Sequence, residues 1–514
     1  MKHTPRLRKF LLGSALLAAV SGVNAQTWDG SFSGSWNTAA NWNTPASVPG
    51  SGADVIFDGT GINLNTATNA AFTLDSLTFT SGQTAAVTIN TTPTNNITLN
   101  NGGSITVAGG DHILAGNGTS GTDRDLVFSN TSGASFSFDI ASGSSFDIQG
   151  RIGGSGFTAD FTKTGAGTLI LSTNNGGSGS WNLNSFDISA GAVRFAASNA
   201  GGNSGNSFTV ASGAALEFTG GSNQFVNAGS LTLSGNGIAG TGALRSLSGN
   251  NAYTGGSGTG AIILAANASI GADTGSTLTL SPAVTGGFAL TKVGAGKLVL
   301  NHATNSYSGA TTVGAGTLAV NGALTATTGV TVQSGATLQG SGSINSTVTI
   351  QNGGTLASGN SIQSLATGAL SLEALATFAY EIDNDAAPGA AGDLTAVTGN
   401  LTLDLANTTI LTLSELGSGA WTVGEKLTLI SYTTGGWNGG LFNYDGGTLA
   451  DGSTFNFSGM DWQFDYNDTL AGSNFTGDLP GGSSFVTMTA IPEPSAVALL
   501  GGLGCLLLLR RRRI

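Results

Sequence analysis

Short apolar runs alternate with polar residues along most of the chain at a spacing of two, the pattern of half-buried β-strands. VTVQSGATLQG (330–340) and VTIQNGGTLAS (348–358) each contain a short strand, a glycine turn and a second strand. The leucines at one position of successive units, Leu318, Leu338 and Leu356, are 20 and 18 residues apart. A repeat of this length without helical segments predicts a β-solenoid, in which stacked rungs place like residues above like.

A longer phrase also recurs. FTKTGAGTLILS (161–172) returns 129 residues later as LTKVGAGKLVLN (290–301). The shared positions are Lys163, Gly165, Gly167, Leu169 and Leu171 in the first copy and Lys292, Gly294, Gly296, Leu298 and Leu300 in the second. Glycine suits turns that need a positive φ, and lysines at one repeat position are expected to be structural. We predict an all-β chain whose solenoid, a right-handed parallel β-helix, covers residues 61–371.

The two ends of the repetitive region have a different texture. TWDGSFSGSWNTAANWN (27–43) holds three of the seven tryptophans, which predicts an N-terminal cap over residues 26–60. An alternative interpretation is a glycan-binding cluster that uses Trp36 and Trp42. From about residue 372, longer alternating strands predict a C-terminal β cap or small sandwich that ends at residue 490. A globular β-sandwich is the structural alternative for the whole chain.

Residues 1–25 have the three parts of a secretory signal peptide: basic residues, an apolar stretch and the small-residue site Val23-Asn24-Ala25. The pattern predicts export through the general secretion machinery, with signal peptidase cutting between Ala25 and Gln26.

Composition narrows the function classes. Between the two basic ends, 27 acidic residues face 8 basic ones, a net charge of -19, so nucleic acid is not an expected partner. The one cysteine, Cys505, excludes an intramolecular disulfide.

Catalytic and metal-binding groups are sparse in the sequence. His112 and His302 are both expected in polar loops, with no cysteine beside them. Asp383, Asp385 and Asp393 form the densest carboxylate cluster, for which calcium is the alternative to a solvated loop. We therefore predict no enzymatic activity and no cofactor. A secreted polysaccharide-active β-helix enzyme and a glycan-binding module remain the alternatives.

The phrase K-x-G-x-G-x-L-x-L, together with GAGTLAV (314–320), resembles the autotransporter-associated β-strand repeat. The resemblance implies the fold of an autotransporter passenger, displayed outside the cell.

The final 24 residues, 491–514, resemble a PEP-CTERM sorting signal. The triplet is Pro492, Glu493 and Pro494, and the apolar run begins at Ala496 and ends at Leu509. The basic stop comprises Arg510, Arg511, Arg512 and Arg513. The apolar run predicts one transmembrane helix of about 21 Å whose arginines stay in the cytoplasm. The resemblance implies that exosortase, an integral-membrane transpeptidase, cuts near the triplet. A permanent anchor is the alternative.

Together these features predict a non-enzymatic exported protein with a structural or adhesive role. It would be tethered transiently at the inner membrane and then reach the cell envelope, cell surface or extracellular matrix. Cell-surface or extracellular polysaccharide is the partner that its polar Thr, Ser and Asn faces would suit.

Overall fold

The computed structural model describes residues 24–492 apart from short internal segments. The segments left out are 44–45, 119–123, 130–132, 154–158, 177–180, 182, 203–204, 221–223, 227–228, 255–259, 386–391, 434 and 476–482. Within the described part, the secondary structure is 46 β-strands and two short 3-10 turns, at Ala39–Asn41 and Ile238–Gly240.

The strands are numbered in chain order. The first sixteen are β1 (Ala25–Thr27), β2 (Ala53–Phe57), β3 (Asn65–Ala67), β4 (Phe72–Phe79), β5 (Thr88–Asn90), β6 (Ile97–Val107), β7 (Asp111–Ala115), β8 (Leu126–Phe128), β9 (Ala134–Ile140), β10 (Ser145–Ile148), β11 (Ile152–Gly153), β12 (Ala159–Thr164), β13 (Thr168–Leu171), β14 (Leu183–Ile188), β15 (Ala192–Phe195) and β16 (Phe208–Val210). The next fifteen are β17 (Ala215–Phe218), β18 (Gln224–Val226), β19 (Leu231–Gly235), β20 (Leu244–Ser246), β21 (Asn250–Thr254), β22 (Ile262–Ala272), β23 (Thr277–Leu280), β24 (Val284–Gly286), β25 (Leu290–Val293), β26 (Lys297–Leu300), β27 (Thr311–Val313), β28 (Gly316–Val320), β29 (Ala323–Leu324), β30 (Val330–Val332) and β31 (Ala336–Gly340). The last fifteen are β32 (Ser343–Ile344), β33 (Val348–Ile350), β34 (Thr355–Ser358), β35 (Ser364–Thr367), β36 (Leu370–Leu372), β37 (Thr377–Ile382), β38 (Leu394–Val397), β39 (Leu401–Leu403), β40 (Thr409–Glu415), β41 (Lys426–Thr433), β42 (Phe442–Tyr444), β43 (Gly447–Thr448), β44 (Thr454–Phe457), β45 (Met460–Asp468) and β46 (Ser483–Ile491).

Parallel pairing between successive rungs dominates the molecule. One unbroken parallel ladder runs through β3, β5, β7, β10, β13, β15, β17, β20, β22, β25, β27, β30, β33, β36 and β39. At about 4.8 Å between paired strands, these rungs make a rod roughly 70 Å long. The parallel ladder matches the predicted solenoid and excludes the sandwich, which is built from antiparallel sheets. The hand of the coil stays a prediction.

Identical side chains stack along the core, as the spacing of the leucines predicts. Leu298, Leu318, Leu338 and Leu356 follow one another in register on consecutive strands. All four are fully buried. They belong to one hydrophobic cluster that extends from Trp28 to Ala490. The core is therefore continuous along the rod, because each rung buries its inward face only against its neighbours.

The tryptophans of the N-terminal segment lie inside the molecule. Trp28, Trp36 and Trp42 are at most 1% exposed and pack edge to face, with ring centroids 5.0 Å and 5.5 Å apart. Each indole N–H donates internally, for example from Trp36 to Thr66 Oγ1 (3.1 Å). No indole face is left for a sugar, so the interpretation of Trp36 and Trp42 as a glycan-binding cluster is wrong.

The parallel coil continues beyond residue 371, where the sequence texture changes. Strand β36 pairs parallel with β39, β38 with β41, and β37 with β40, which pairs with β42. Phe378 simply takes the place of leucine above Leu356. A larger inward residue changes the sequence pattern without changing the backbone pairing. The antiparallel part is the hairpin β42–β43 and the set β41–β46–β45–β44, which covers the last rungs.

The predicted export and sorting signals fall mostly outside the described residues. Ala25 and Gln26 lie in β1, and Pro492 is the last described residue. The described residues do not include residues 1–23, the rest of the triplet, the apolar run or the four arginines. In the described part of the chain, no helix has the length and apolarity needed to cross a membrane.

Candidate functional site

The recurring phrase forms two equivalent turns, each with a buried lysine, here called the lysine corners. Lys163 is the last inward-facing residue of β12, and Lys292 is the last inward-facing residue of β25. Lys163 is in register with Phe138 and Ile188 on the neighbouring rungs, which are apolar core positions. Both lysine side chains are fully buried. A lysine at such a position must find polar partners, because an isolated buried charge is strongly unfavourable.

Backbone carbonyls supply those partners in both corners. The Nζ of Lys163 donates to the carbonyls of Thr164 (2.6 Å), Gly165 (2.8 Å) and Ala190 (3.3 Å).

The Nζ of Lys292 makes the same set, to Val293 (3.0 Å), Gly294 (2.7 Å) and Ala315 (3.0 Å). The third acceptor in each corner belongs to the turn of the next rung. Each ammonium therefore uses all three of its donors and joins two successive turns.

Glycines make this approach possible. Gly165 and Gly294 have φ values of 68° and 77°, a conformation that side chains rarely adopt. A Cβ at Gly294 would lie 2.3 Å from the carbonyl oxygen of Ala272 on the preceding rung. In the next rung, a Cβ at Gly316 would lie 2.4 Å from the carbonyl oxygen of Gly296. The glycines are required by close stacking of backbone on backbone.

Burial lowers the pKa of both lysines to about 8, because desolvation disfavours the ammonium form. A lowered amine pKa is also a property of catalytic lysines. Here, however, neither side chain reaches the surface, and every N–H is directed at a carbonyl. The geometry supports a structural role for Lys163 and Lys292.

A family model described as the passenger-associated-transport repeat matches residues 161–194 and 290–320. These two ranges of the chain are similar to that repeat. This confirms the predicted relation to autotransporter-associated repeats, and repeats of this kind indicate an exported protein of the cell surface or extracellular space. No curated protein matches the chain.

The matched ranges correspond to two successive rungs at each site. The first matched range runs from within β12 to within β15, and the second runs from β25 to β28. Each repeat therefore includes the lysine and the carbonyl of the following turn that the lysine binds, Ala190 or Ala315. The structural unit behind the repeat is a pair of rungs joined through one ammonium group.

His112 lies in the core, so its predicted place in a polar loop is wrong. It belongs to β7, is 1% exposed, and stacks on Phe79 with ring centroids 4.0 Å apart. Its Nδ1 accepts from the Val87 N–H (3.1 Å), and its Nε2 donates to the Gly109 carbonyl (2.7 Å). Burial lowers its pKa. The polar neighbours Gly110 and Asp111 made the sequence around His112 look like a loop, although the residue faces inward in a strand. His302 does lie in a loop, as predicted.

The three aspartates considered for calcium do not converge on one point. Asp393 is 1% exposed, and its carboxylate accepts the backbone N–H groups of Gln363 (3.0 Å) and Glu381 (3.2 Å). Asp383 accepts from the backbone of Asp385 (3.0 Å) in a local turn. Across the residues that the structure describes, no group of three His, Cys, Asp or Glu side chains could hold a metal ion.

Most basic residues of the rod are engaged internally. Arg194 binds Glu217 (2.8 Å), and Arg245 binds Asp273 (2.6 Å). Arg124 and Arg151 are at least nine-tenths buried. A groove that binds acidic polysaccharide needs exposed cations, and these residues do not provide one.

Proposed function

We propose that this protein is a non-enzymatic structural rod of the cell surface or extracellular matrix. The observation that carries the proposal is the single hydrophobic core that continues from Trp28 to Ala490 along the stacked rungs. Such a core resists bending and spaces its two ends apart, which is the work of a spacer or scaffold. The passenger-associated-transport repeats support its display outside the cell.

Delivery to that location would use both ends of the chain. Signal peptidase would remove residues 1–25 during export through the general secretion machinery. The apolar run would then hold the chain in the inner membrane, with the rod outside. Exosortase would cut at the Pro492-Glu493-Pro494 triplet and release the rod to the surface. The two prolines of the sequence support this assignment, because proline disfavours a helix and favours the extended peptides that a protease-like enzyme binds.

Intact-mass analysis of the protein recovered from its native cells tests this route. We expect the wild-type mass to lack residues 1–25 and the four terminal arginines. Replacing Pro492, Glu493 and Pro494 with alanine should yield a protein that keeps the arginines and stays in the membrane fraction. Ser495→Ala, beside the triplet, is the matched control and should be processed normally. Arginines retained in the wild type would instead establish the permanent anchor.

A polysaccharide-degrading activity is the alternative from another class. The wild-type protein should release no reducing ends from acidic or neutral polysaccharides. Turnover that disappears when carboxylates of the rod are replaced would overturn the structural role.

A further inference from the structure

Three polar residues form a column on one exposed face of the rod. Gln333, Gln351 and Glu373 each directly follow a strand of the long ladder, β30, β33 and β36. Those strands are paired in register, with Val332 opposite Ile350 and Ile350 opposite Leu372. The three side chains therefore stand on consecutive rungs, about 4.8 Å apart along the rod axis.

The column lines a shallow groove of about 510 Å³. Its lining residues are Gly314, Gln333, Ser334, Gln351, Asn352 and Glu373. Gly314 occupies the column position one rung before Gln333, since Val313 pairs with Val332. A Cβ at Gly314 would meet the side-chain oxygen of Gln333 at 3.4 Å, so the missing side chain leaves this end of the groove open.

Amides stacked on neighbouring rungs ordinarily bind one another, and another face of the same rod shows this. Asn321 donates to Asn301 on the preceding rung (2.9 Å), and Asn360, two rungs further along, donates to Asn321 (2.7 Å). In the groove, by contrast, the side chains of Gln333 and Gln351 have no hydrogen-bond partner among the described residues. The groove amides are therefore available to a ligand.

An exposed leucine in an unfavourable backbone conformation lies beside the groove. Leu375 has a φ of 56° and is 49% exposed. The backbone N–H of Gly353 donates to its carbonyl, and Gly335 donates to Gly353 in the same way. Glycine thus fills this turn on the two preceding rungs, with φ of 75° and 72°. A leucine there costs on the order of 1 kcal/mol, so local folding does not account for this apolar side chain.

The chemistry of the groove favours one class of ligand. Amides both donate and accept hydrogen bonds, and the Glu373 carboxylate accepts them, which matches the hydroxyl groups of a sugar. Leu375, two residues after Glu373 and outside the lining itself, adds an exposed apolar surface for the C–H face of a sugar ring. No lysine or arginine lines the groove, and its one charge is negative, which disfavours an anionic polymer.

We propose that this groove binds an extended neutral polysaccharide that lies along the rod axis. The proposal rests on the proposed surface role and gives it a partner. Gln333 and Gln351 present the same amide on consecutive rungs and Glu373 adds a carboxylate on the next, so an extended polymer can make one polar contact per rung.

Affinity electrophoresis of the purified full-length protein tests the proposal, with hydroxyethylcellulose or glucomannan in a native gel and alginate as the anionic comparison. We expect retardation by a neutral polymer and none by alginate. Gln351→Ala should weaken binding about 3- to 10-fold, the effect of one neutral hydrogen bond, and Gln333→Ala should act similarly. Asn321→Ala is the control, because its amide belongs to the internally bonded column, and it should bind as the wild type does.

Three results would overturn the proposal: no retardation by either neutral polymer, stronger retardation by alginate, or an equal loss in Asn321→Ala. Thermal unfolding of each variant checks that these exposed substitutions leave the fold intact. Cell fractionation separates this proposal from the proposed function. A Gln333→Ala, Gln351→Ala double variant should reach the same fraction as the wild type. Failure of sugar binding with normal surface delivery rejects the groove alone, and wild-type protein absent from the surface rejects the proposed function.

Discussion

At the residue scale, backbone carbonyls take the place of water as hydrogen-bond acceptors for the two buried lysine ammonium groups. An ammonium that donates to three carbonyls satisfies those acceptors and offsets part of the cost of its own burial, although its pKa stays lowered. The arrangement occurs twice with carbonyls at equivalent positions, although the third carbonyl lies 27 residues after Lys163 and 23 residues after Lys292.

Lys292→Met should destabilise the rod by about 1–3 kcal/mol, because it leaves three carbonyls without their buried donor. The change should appear as a lower midpoint of thermal unfolding. Lys297→Met is the matched control, since Lys297 belongs to the same repeat, is half-buried, and its Nζ contacts Asn360 at 3.3 Å. We expect the control to change stability by no more than about 0.5 kcal/mol. Equal effects of the two substitutions would contradict the role assigned to the corner.

A second residue-scale feature lies where the coil meets its C-terminal covering. Asn474 is 6% exposed and donates to Tyr380 Oη (3.0 Å) and to the Thr428 carbonyl (2.7 Å). It also donates to the backbone carbonyl of Asp393 (3.2 Å). Burial raises the pKa of Asp393 to about 7, with Glu381 adding to the increase and backbone N–H groups opposing it.

This aspartate should make stability depend on pH between about 4 and 7. The folded state keeps the Asp393 proton up to a pKa of about 7, whereas the unfolded state loses it near 3.8. Its contribution to stability is therefore complete below pH 3.8 and is lost as the pH rises through 7. Asp393→Asn should remove this component when midpoints of unfolding are compared from pH 4 to 8.

Asp404→Asn serves as the comparison for that experiment. The hydrogen bond from Thr408 lowers the pKa of Asp404, so its titration is finished below the window. An Asp393→Asn profile parallel to that of the wild type between pH 4 and 7 would contradict the assignment.

At the element scale, the N-terminal end depends on the three tryptophans that close the first rung. Trp36→Ala should remove about 3–5 kcal/mol of local stability, because it opens a cavity next to Phe57 and Phe72. Amide hydrogen exchange should become faster in β1 to β4. Phe32→Ala in the same segment should have little effect, since Phe32 is 74% exposed. Unchanged exchange in Trp36→Ala would show that the cluster does not hold this end closed.

The strands can be predicted from the sequence where the rungs are of regular length. The spacing of Leu318, Leu338 and Leu356 predicts their stacking, because a solenoid converts sequence period directly into register. The long strand β22 was not predictable in this way. It pairs with β19 through one half and with β20 through the other, so it bridges a turn, as β6 does by pairing with β8 and β9. Rung length varies there, and a fixed period cannot describe it.

At the scale of the whole molecule, charge and architecture agree. The acidic body disfavours association with nucleic acid, and its remaining basic side chains are mostly consumed by carbonyls or carboxylates within the rod. A long rod of this kind, with one continuous core, fits the proposed surface scaffold.

The features that repeat locally can be predicted from the chain alone: short strands, glycine turns, stacked leucines and the paired lysine motifs. These follow from residue spacing, which a parallel coil preserves. Other properties emerge only in the folded chain: His112 and the three N-terminal tryptophans are buried, and Lys163 reaches the next turn. Likewise, the side-chain amides of Gln333 and Gln351 have no hydrogen-bond partner among the described residues, whereas that of Asn321 is bonded. Those properties depend on partners a full rung or more away in the chain. Stacking of the rungs brings such partners together, and they cannot be identified from the local pattern of apolar and polar residues.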